Sequence, residues 1–254
     1  NNYTLNKFLT FKGNKYIFRI IIDIYLLYNE ELKSTNSIDF NDMIILATKY
    51  VKDNDMKKYK YIIVDEYQDT SYVRYLLLKE IINKTNAKII CVGDDYQSIY
   101  RFNGCNLNMF LNFKKYFGYT KILKINNTYR NSQELINVAG NFIMKNKNQL
   151  YKKLKSQKHI DKPIKISYSS LYKLLDDVLK AHKNILILGR NNFDIDKYFK
   201  LDKDNYIYYN GIKIKYLTIH ASKGLEEECV IIINLRDDIL GMPSKTKDDK
   251  IIKN

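Results

Sequence analysis

Residues 61 to 69 read Tyr61-Ile-Ile-Val-Asp-Glu-Tyr-Gln-Asp69, and residues 92 to 102 read Val92-Gly-Asp-Asp-Tyr-Gln-Ser-Ile-Tyr-Arg-Phe102. Each begins with or follows a short apolar run, and each run ends in carboxylates and a glutamine. An apolar run of this length bounded by polar residues fits a buried parallel strand. In open α/β sheets, ligands bind beyond the carboxyl ends of such strands. Two adjacent strand ends would bring Asp65, Glu66, Asp94 and Gln97 into one crevice. Neighbouring carboxylates suit a divalent cation and the activation of water, and a glutamine can orient that water or touch a terminal phosphate. The bland alternative for Asp65 and Glu66 is a solvated acidic turn.

The rest of the chain sets bounds around this pair. A length of 254 residues accommodates one sizeable core or two modest ones. The net charge of +15 points to an anionic partner. Abundant Lys, Asn, Ile and Tyr with only two prolines is also what an AT-biased genome yields, so charge alone decides little. Cys91, Cys105 and Cys229 stand singly in or beside apolar stretches, with neither disulfide framework nor metal spacing, and read as core thiols of a reducing compartment. The apolar stretch 16–28 is interrupted by Arg19 and Asp23 and is too short to span a bilayer. A cytoplasmic protein with no membrane partner is the expectation. The chain opens on Asn1 and ends in a charged stretch, which suggests a fragment or a fusion product.

Periodicity predicts helices within Leu5 to Leu32, from an Asp39 N-cap through Tyr50, and from Ser71 to Asn83. Strands are predicted at 61–64 and 88–92, a strand–helix–strand order that implies a right-handed parallel unit. Asn106 to Tyr116 reads as helical and ends at Phe117-Gly118. A second series follows: a strand at 121–125, a helix from Ser132 to about Lys145, a strand at 164–167 and a helix from Leu171 to His182. Strands at 185–188, 213–219 and 230–234 complete it. The boundary between the two units falls near Gly118.

With these segments in place, the chain resembles the UvrD/Rep-type superfamily 1 DNA helicases, and among them the helicase IV-type proteins. The Asp65-Glu-Tyr-Gln-Asp69 segment matches that family's Walker B motif, and Val92 to Phe102 its motif coupling ATP hydrolysis to DNA. Asn127-Thr-Tyr-Arg-Asn-Ser132 and Leu217-Thr-Ile-His-Ala-Ser-Lys-Gly-Leu-Glu226 match downstream, a weaker match, Ile38-Asp-Phe-Asn-Asp-Met43, lies upstream, and together they run in family order. The resemblance implies an α/β fold of two RecA-like parallel-sheet units of the P-loop NTPase type. Residues 1–118 would form the C-terminal part of the first with preceding helices, truncated at its N-terminal side. Residues 119–254 would form the second, truncated at its C-terminus. It implies ATP and Mg²⁺ as cofactors, single-stranded DNA as partner and 3′ to 5′ movement; protein partners are not legible.

Residue by residue, the resemblance gives Asp65 the magnesium, Glu66 the attacking water and Gln97 the γ-phosphate. Tyr129 would stack on adenine, Arg130 would reach the γ-phosphate from the second unit, and Glu226 would meet the nucleotide sugar. Tyr100 and Phe102 would face unstacked bases, and Thr218, His220 and Lys223 would hold the DNA backbone. Phe102 stands where the family usually has Trp, which leaves a smaller stacking face, and Asn103 replaces a frequent Arg. On the residues alone, Tyr100 could be a packing residue, Arg130 could pair with Glu134, and His220 could be an ordinary loop histidine.

No Gly-x-x-x-x-Gly-Lys-Ser/Thr occurs in the 254 residues. That loop cradles phosphates with backbone N–H groups and a lysine. The family's late arginine motif is missing too, and the short stretch from Arg190 to Leu217 leaves no room for the large insertion of many relatives. The expectation is a fragment of an ATP-dependent DNA helicase that is by itself inactive. Two alternatives stay open: a non-catalytic, helicase-like DNA-binding or regulatory protein, and a subunit of a helicase–nuclease.

Overall fold

The computed structural model describes residues 15–237 and 240–242. The chain divides into two compact units, Asn1–Lys121 and Ile122–Asn254. The amino-terminal part of the helical stretch expected within residues 5–32, and the chain end beyond 242, lie outside the described residues.

In the first unit, α1 (Lys15–Ser34) is followed by α2 (Phe40–Asp53). Asp39 caps α2 in a reciprocal box: Asp42 N–H donates to the Asp39 carboxylate at 2.7 Å and Asp39 N–H to the Asp42 carboxylate at 3.5 Å. Two donors left over at a helix start are satisfied this way. The backbone hydrogen bond from Asp42 is the main reason that the Asp39 carboxyl sits below its ordinary range.

Strand β1 (Tyr61–Val64) leads through α3 (Tyr72–Thr85), capped by Ser71, to β2 (Lys88–Cys91). The strands pair in parallel with Tyr61 opposite Lys88 and Val64 opposite Cys91, so both carboxyl ends lie at one edge. The expected single helix over 106–116 is instead two short ones, α4 (Leu107–Leu111) and α5 (Phe113–Phe117). Asn112, at φ −110° and ψ 38°, leaves helical geometry between them. The break turns Phe113 and Phe117 onto Tyr67, with ring centroids 5.5 and 6.1 Å away. Tyr67, Tyr75 and Met109 form the buried centre of this unit.

The second unit carries a four-stranded sheet in the order β4 (Tyr206–Tyr209), β5 (Ile212–Thr218), β3 (Ile185–Gly189), β6 (Cys229–Ile232). The strand β3 runs parallel to β5 and to β6, while β4 is antiparallel to β5. All five residues of β3 are buried, as the central strand of a covered parallel sheet should be. Leu175 of α7 (Leu171–Leu179) packs with Ile187, Ile207, Ile214 and Tyr216 into the core. Helix α6 (Gln133–Ile143) starts at Ser132, whose hydroxyl accepts from Leu135 N–H at 3.3 Å.

Two expected strands need correction. Residues 121–125 are not a strand: Ile122, Leu123 and Ile125 are exposed, and the regular pairing nearby is a single bridge between Asn127 and Lys155. Residues 164–167 are irregular as well. An apolar run becomes a strand only where a neighbour takes up its N–H and C=O groups. Conversely, β4 was not expected. It forms because Asn210 (φ 48°) and Gly211 (φ 75°) fold the chain back in a two-residue hairpin turn, a geometry that favours Asn-Gly.

Candidate functional site

The parallel register of β1 and β2 brings their two polar tails together. Val92 N–H donates to the Val64 carbonyl at 2.8 Å, and Tyr67 N–H returns a bond to the Val92 carbonyl at 2.9 Å. Between them the backbone makes a sharp bend at Glu66, which sits in the left-handed region at φ 49° and ψ 40°. For a residue with a Cβ this costs about 1–2 kcal/mol. Asp65 caps the bend by accepting Glu66 N–H at 2.8 Å. Asp65 and Glu66 are exposed, whereas Tyr67 and Gln68 behind them are buried.

Gln68 joins the two segments. Its carboxamide nitrogen donates to the Glu66 carboxylate, and its oxygen accepts Asp94 N–H at 3.0 Å. Asp94 in turn accepts from the Gln97 side chain at 3.0 Å and from Tyr96 N–H at 3.0 Å. Glu66 and Gln97 are thus tied through Gln68 and Asp94 into one polar chain at one sheet edge. Gly93 makes the close approach possible: a Cβ there would stand 2.5 Å from the Gln68 oxygen and 2.8 Å from the Phe110 ring. Farther along, Tyr100 and Phe102 lie edge to face with centroids 6.1 Å apart, and Phe102 is 70% exposed. Tyr100 is half-buried.

Magnesium needs only one or two carboxylates when nucleotide phosphates complete its shell. Asp65, exposed at the end of β1, fits that requirement as a single carboxylate. Among the described residues, no cluster of three or more His, Cys, Asp or Glu side chains forms a metal cage.

In the second unit, Arg130 donates through Nε to the Glu226 carboxylate at 2.6 Å. This brings together two of the residues picked out from sequence. Both side chains are exposed, so the pair is worth at most about 1 kcal/mol and is readily exchanged for another partner. The alternative pairing of Arg130 with Glu134 is absent from the geometry, because Glu134 accepts from Ile160 N–H at 3.0 Å and from His159 Nδ1 at 2.7 Å. Those bonds, the Ile160 amide first, hold the Glu134 carboxyl at about 2. Tyr129, next to Arg130, is exposed.

Strand β5 ends at Thr218, and a tight loop follows. Ser222 N–H donates to the Thr218 carbonyl at 3.0 Å and Ala221 N–H to the Thr218 hydroxyl at 3.2 Å. Gly224, at φ 82°, closes the loop. His220 Nδ1 lies 3.4 Å from Arg190 Nη1. Burial, and then the Arg190 charge, lower the His220 pKa. Lys223 and Thr218 are half-buried in the same loop.

The sequence pattern does not by itself single out Gln68 or Arg190. The signal for Gln68 was its place between the two carboxylates of Glu66 and Asp69. Nothing in the local sequence marks Arg190, which reaches His220 only because β3 and β5 are neighbours. The three cysteines are half-buried and form no disulfide; Cys91 and Cys229 pack against the two cores, and Cys105 Sγ donates to the Asp69 carbonyl at 2.9 Å. Burial pushes the Cys91 thiol up to about 12. Among the described residues no helix is long and apolar enough to cross a membrane.

Residues 2–118 match the family profile described as UvrD/REP helicase N-terminal domain. DNA helicase IV of Escherichia coli (strain K12) is 34% identical over 225 residues, covering 85% of this chain and 32% of that protein. ATP-dependent DNA helicase Rep of Buchnera aphidicola subsp. Acyrthosiphon pisum is 33% identical over 248 residues, 87% of this chain and 38% of that one. ATP-dependent DNA helicase PcrA of Bacillus subtilis (strain 168) is 29% identical over 244 residues, 94% of this chain and 31% of that one. The chain therefore spans about a third of the length of these relatives. The profile match across the first unit and the relatives that extend the likeness through the second agree: the chain belongs to the UvrD/Rep-type helicase family.

Proposed function

We propose that this chain carries the water-activating and DNA-coupling parts of an ATP-dependent DNA helicase that moves 3′ to 5′ on single-stranded DNA. On this reading residues 1–118 and 119–254 contribute to two RecA-like units of a longer motor. The observation that carries it is the polar chain Glu66–Gln68–Asp94–Gln97, which ties the hydrolysis segment to the segment ending in Tyr100 and Phe102. A change at a bound γ-phosphate felt by Gln97 would reach the base-stacking rings through a few bonds of one short loop. Family membership and the names of the relatives support the reading.

In this account Glu66 polarises the attacking water, and Gln97 and Arg130 contact the γ-phosphate, where a guanidinium matches charge spread over the phosphoryl oxygens. Tyr129 stacks on adenine and Glu226 receives the sugar once Arg130 turns to phosphate. Asp65 would hold Mg²⁺, whose contribution is to neutralise phosphate charge. Thr218, His220 and Lys223 hold the DNA backbone.

Fluorescence anisotropy with labelled oligothymidine over a salt series tests the DNA half. Binding should be weak and steeply salt-dependent. Phe102→Ala should cost about 5- to 100-fold, one lost base stack, with the salt slope unchanged. Unchanged affinity in Phe102→Ala would remove the stacking role.

A further inference from the structure

The hairpin of β4 and β5 has one face in the core, through Ile207 and Ile214, and one face outward. Side chains alternate along strands, so Tyr206 and Tyr208 of β4 and Lys213 and Lys215 of β5 share that outer face. Their register is direct: Tyr206 opposite Lys215, Tyr208 opposite Lys213. Lys213 Nζ lies 4.0 Å from the Tyr206 ring centroid and 5.9 Å from that of Tyr208, and Lys215 Nζ lies 5.5 Å from that of Tyr206. The result is a small lattice of two rings and two ammonium groups.

We infer that this lattice is a second contact for single-stranded nucleic acid, with Tyr208 stacking on a base and Lys213 and Lys215 holding the flanking phosphates. The inference rests on the DNA reading above and extends it to residues outside the recognised motifs. Three observations carry it. Tyr208 is 62% exposed, and Asp202 orients it by accepting its hydroxyl at 3.4 Å. Exposed cation–π pairs are weak, so a phosphate can draw the lysines off the rings at small cost. Finally, β5 runs straight from Lys213 and Lys215 into the Thr218–Lys223 loop, so one strand of nucleic acid could lie along both.

An acidic peptide would satisfy the lysines but leave the rings idle, whereas bases and phosphates use both. Asp202 does not spoil the site. Its Oδ1 accepts both Tyr206 N–H and Asp204 N–H at 2.9 Å each, so part of its charge is directed at the local backbone.

The test is anisotropy of the whole chain with labelled oligothymidine, comparing Tyr208→Ala, Tyr208→Phe, Lys213→Gln with Lys215→Gln together, and Lys223→Gln. Circular dichroism should show all variants folded, since the altered side chains lie on the surface. Tyr208→Ala should weaken binding about tenfold while Tyr208→Phe retains it, as expected for stacking. The double lysine variant should lower the slope of log affinity against log salt by about 1.4, at about 0.7 per phosphate contact. If Lys223→Gln weakens binding while the hairpin variants match the parent chain, the hairpin inference is wrong and the DNA reading survives. If the parent chain binds no oligonucleotide at any salt, both are wrong. If polyglutamate competes as well as DNA and Tyr208→Ala has no effect, the face takes polyanions without stacking, which also overturns the inference.

Discussion

Glu66 and His220 both sit in local environments that depart from the ordinary. Glu66 occupies a left-handed backbone conformation and is gripped by a buried glutamine. Strain of this kind persists where surrounding structure over-determines it, and it is concentrated at working sites. The His220 pKa is lowered by burial first and by the Arg190 charge second. Its folded pKa is below the unfolded value of 6.5. The unfolded chain therefore binds more protons in that interval, and stability contributed by neutral His220 falls as pH drops from 6.5 through the folded pKa. A histidine NMR titration should place the His220 midpoint below those of unperturbed histidines. Arg190→Gln should raise it part of the way, because burial remains; an unshifted midpoint in the variant would show that Arg190 exerts no field there. The residues themselves were legible because each stands in a motif with a fixed neighbourhood. Their partners were not. Arg190 comes from another strand, and the Arg130 partner is Glu226, 96 positions away (226 − 130), rather than the nearby Glu134.

At the scale of elements, β1 and β2 were readable from four-residue apolar runs followed by carboxylates, and Asp39, Ser71 and Ser132 were readable as helix starts. The runs at 121–125 and 164–167 looked equally strand-like but have no regular partner among the described residues. Pairing is a property of two segments, and one segment cannot reveal it. The β4–β5 hairpin left a clear mark in Tyr209-Asn-Gly-Ile212, an Asn-Gly pair between alternating apolar residues, and could have been found. The β1–β2 unit also depends on a small residue at its polar edge. Gly93→Ala would push a methyl into the Gln68 carboxamide and the Phe110 ring, and Gln68 is fully buried. Overpacking of this kind costs about 1–3 kcal/mol. Urea unfolding followed by tyrosine fluorescence should show that loss, together with weaker oligothymidine binding; full stability in Gly93→Ala would mean that the Gln68 bridge is not tightly packed.

For the whole molecule, burial is uneven. Among the described residues, the second unit packs ten buried residues into one cluster, while the first gathers Tyr67, Tyr75 and Met109. Regions with fewer buried apolar contacts open at lower free energy. Hydrogen exchange should therefore be faster at the amides of Ile63 and Ile90 than at Ile187 and Tyr216, and equal protection would contradict this difference. The same contrast bears on activity. The residues proposed for hydrolysis stand beside the smaller of these two clusters, and the 254 residues contain no Gly-x-x-x-x-Gly-Lys-Ser/Thr pattern of a phosphate-cradling loop. General-base help is typically worth about 10²–10⁴ in rate, which does not replace the charge neutralisation and alignment such a loop supplies. The direct measurement is phosphate release from ATP by the purified 254-residue chain, with and without oligothymidine, beside Glu66→Gln. DNA should bind without stimulating phosphate release, and the chain and Glu66→Gln should not differ. Robust DNA-stimulated release that disappears in Glu66→Gln would contradict this, because Glu66 would then be working without the missing loop.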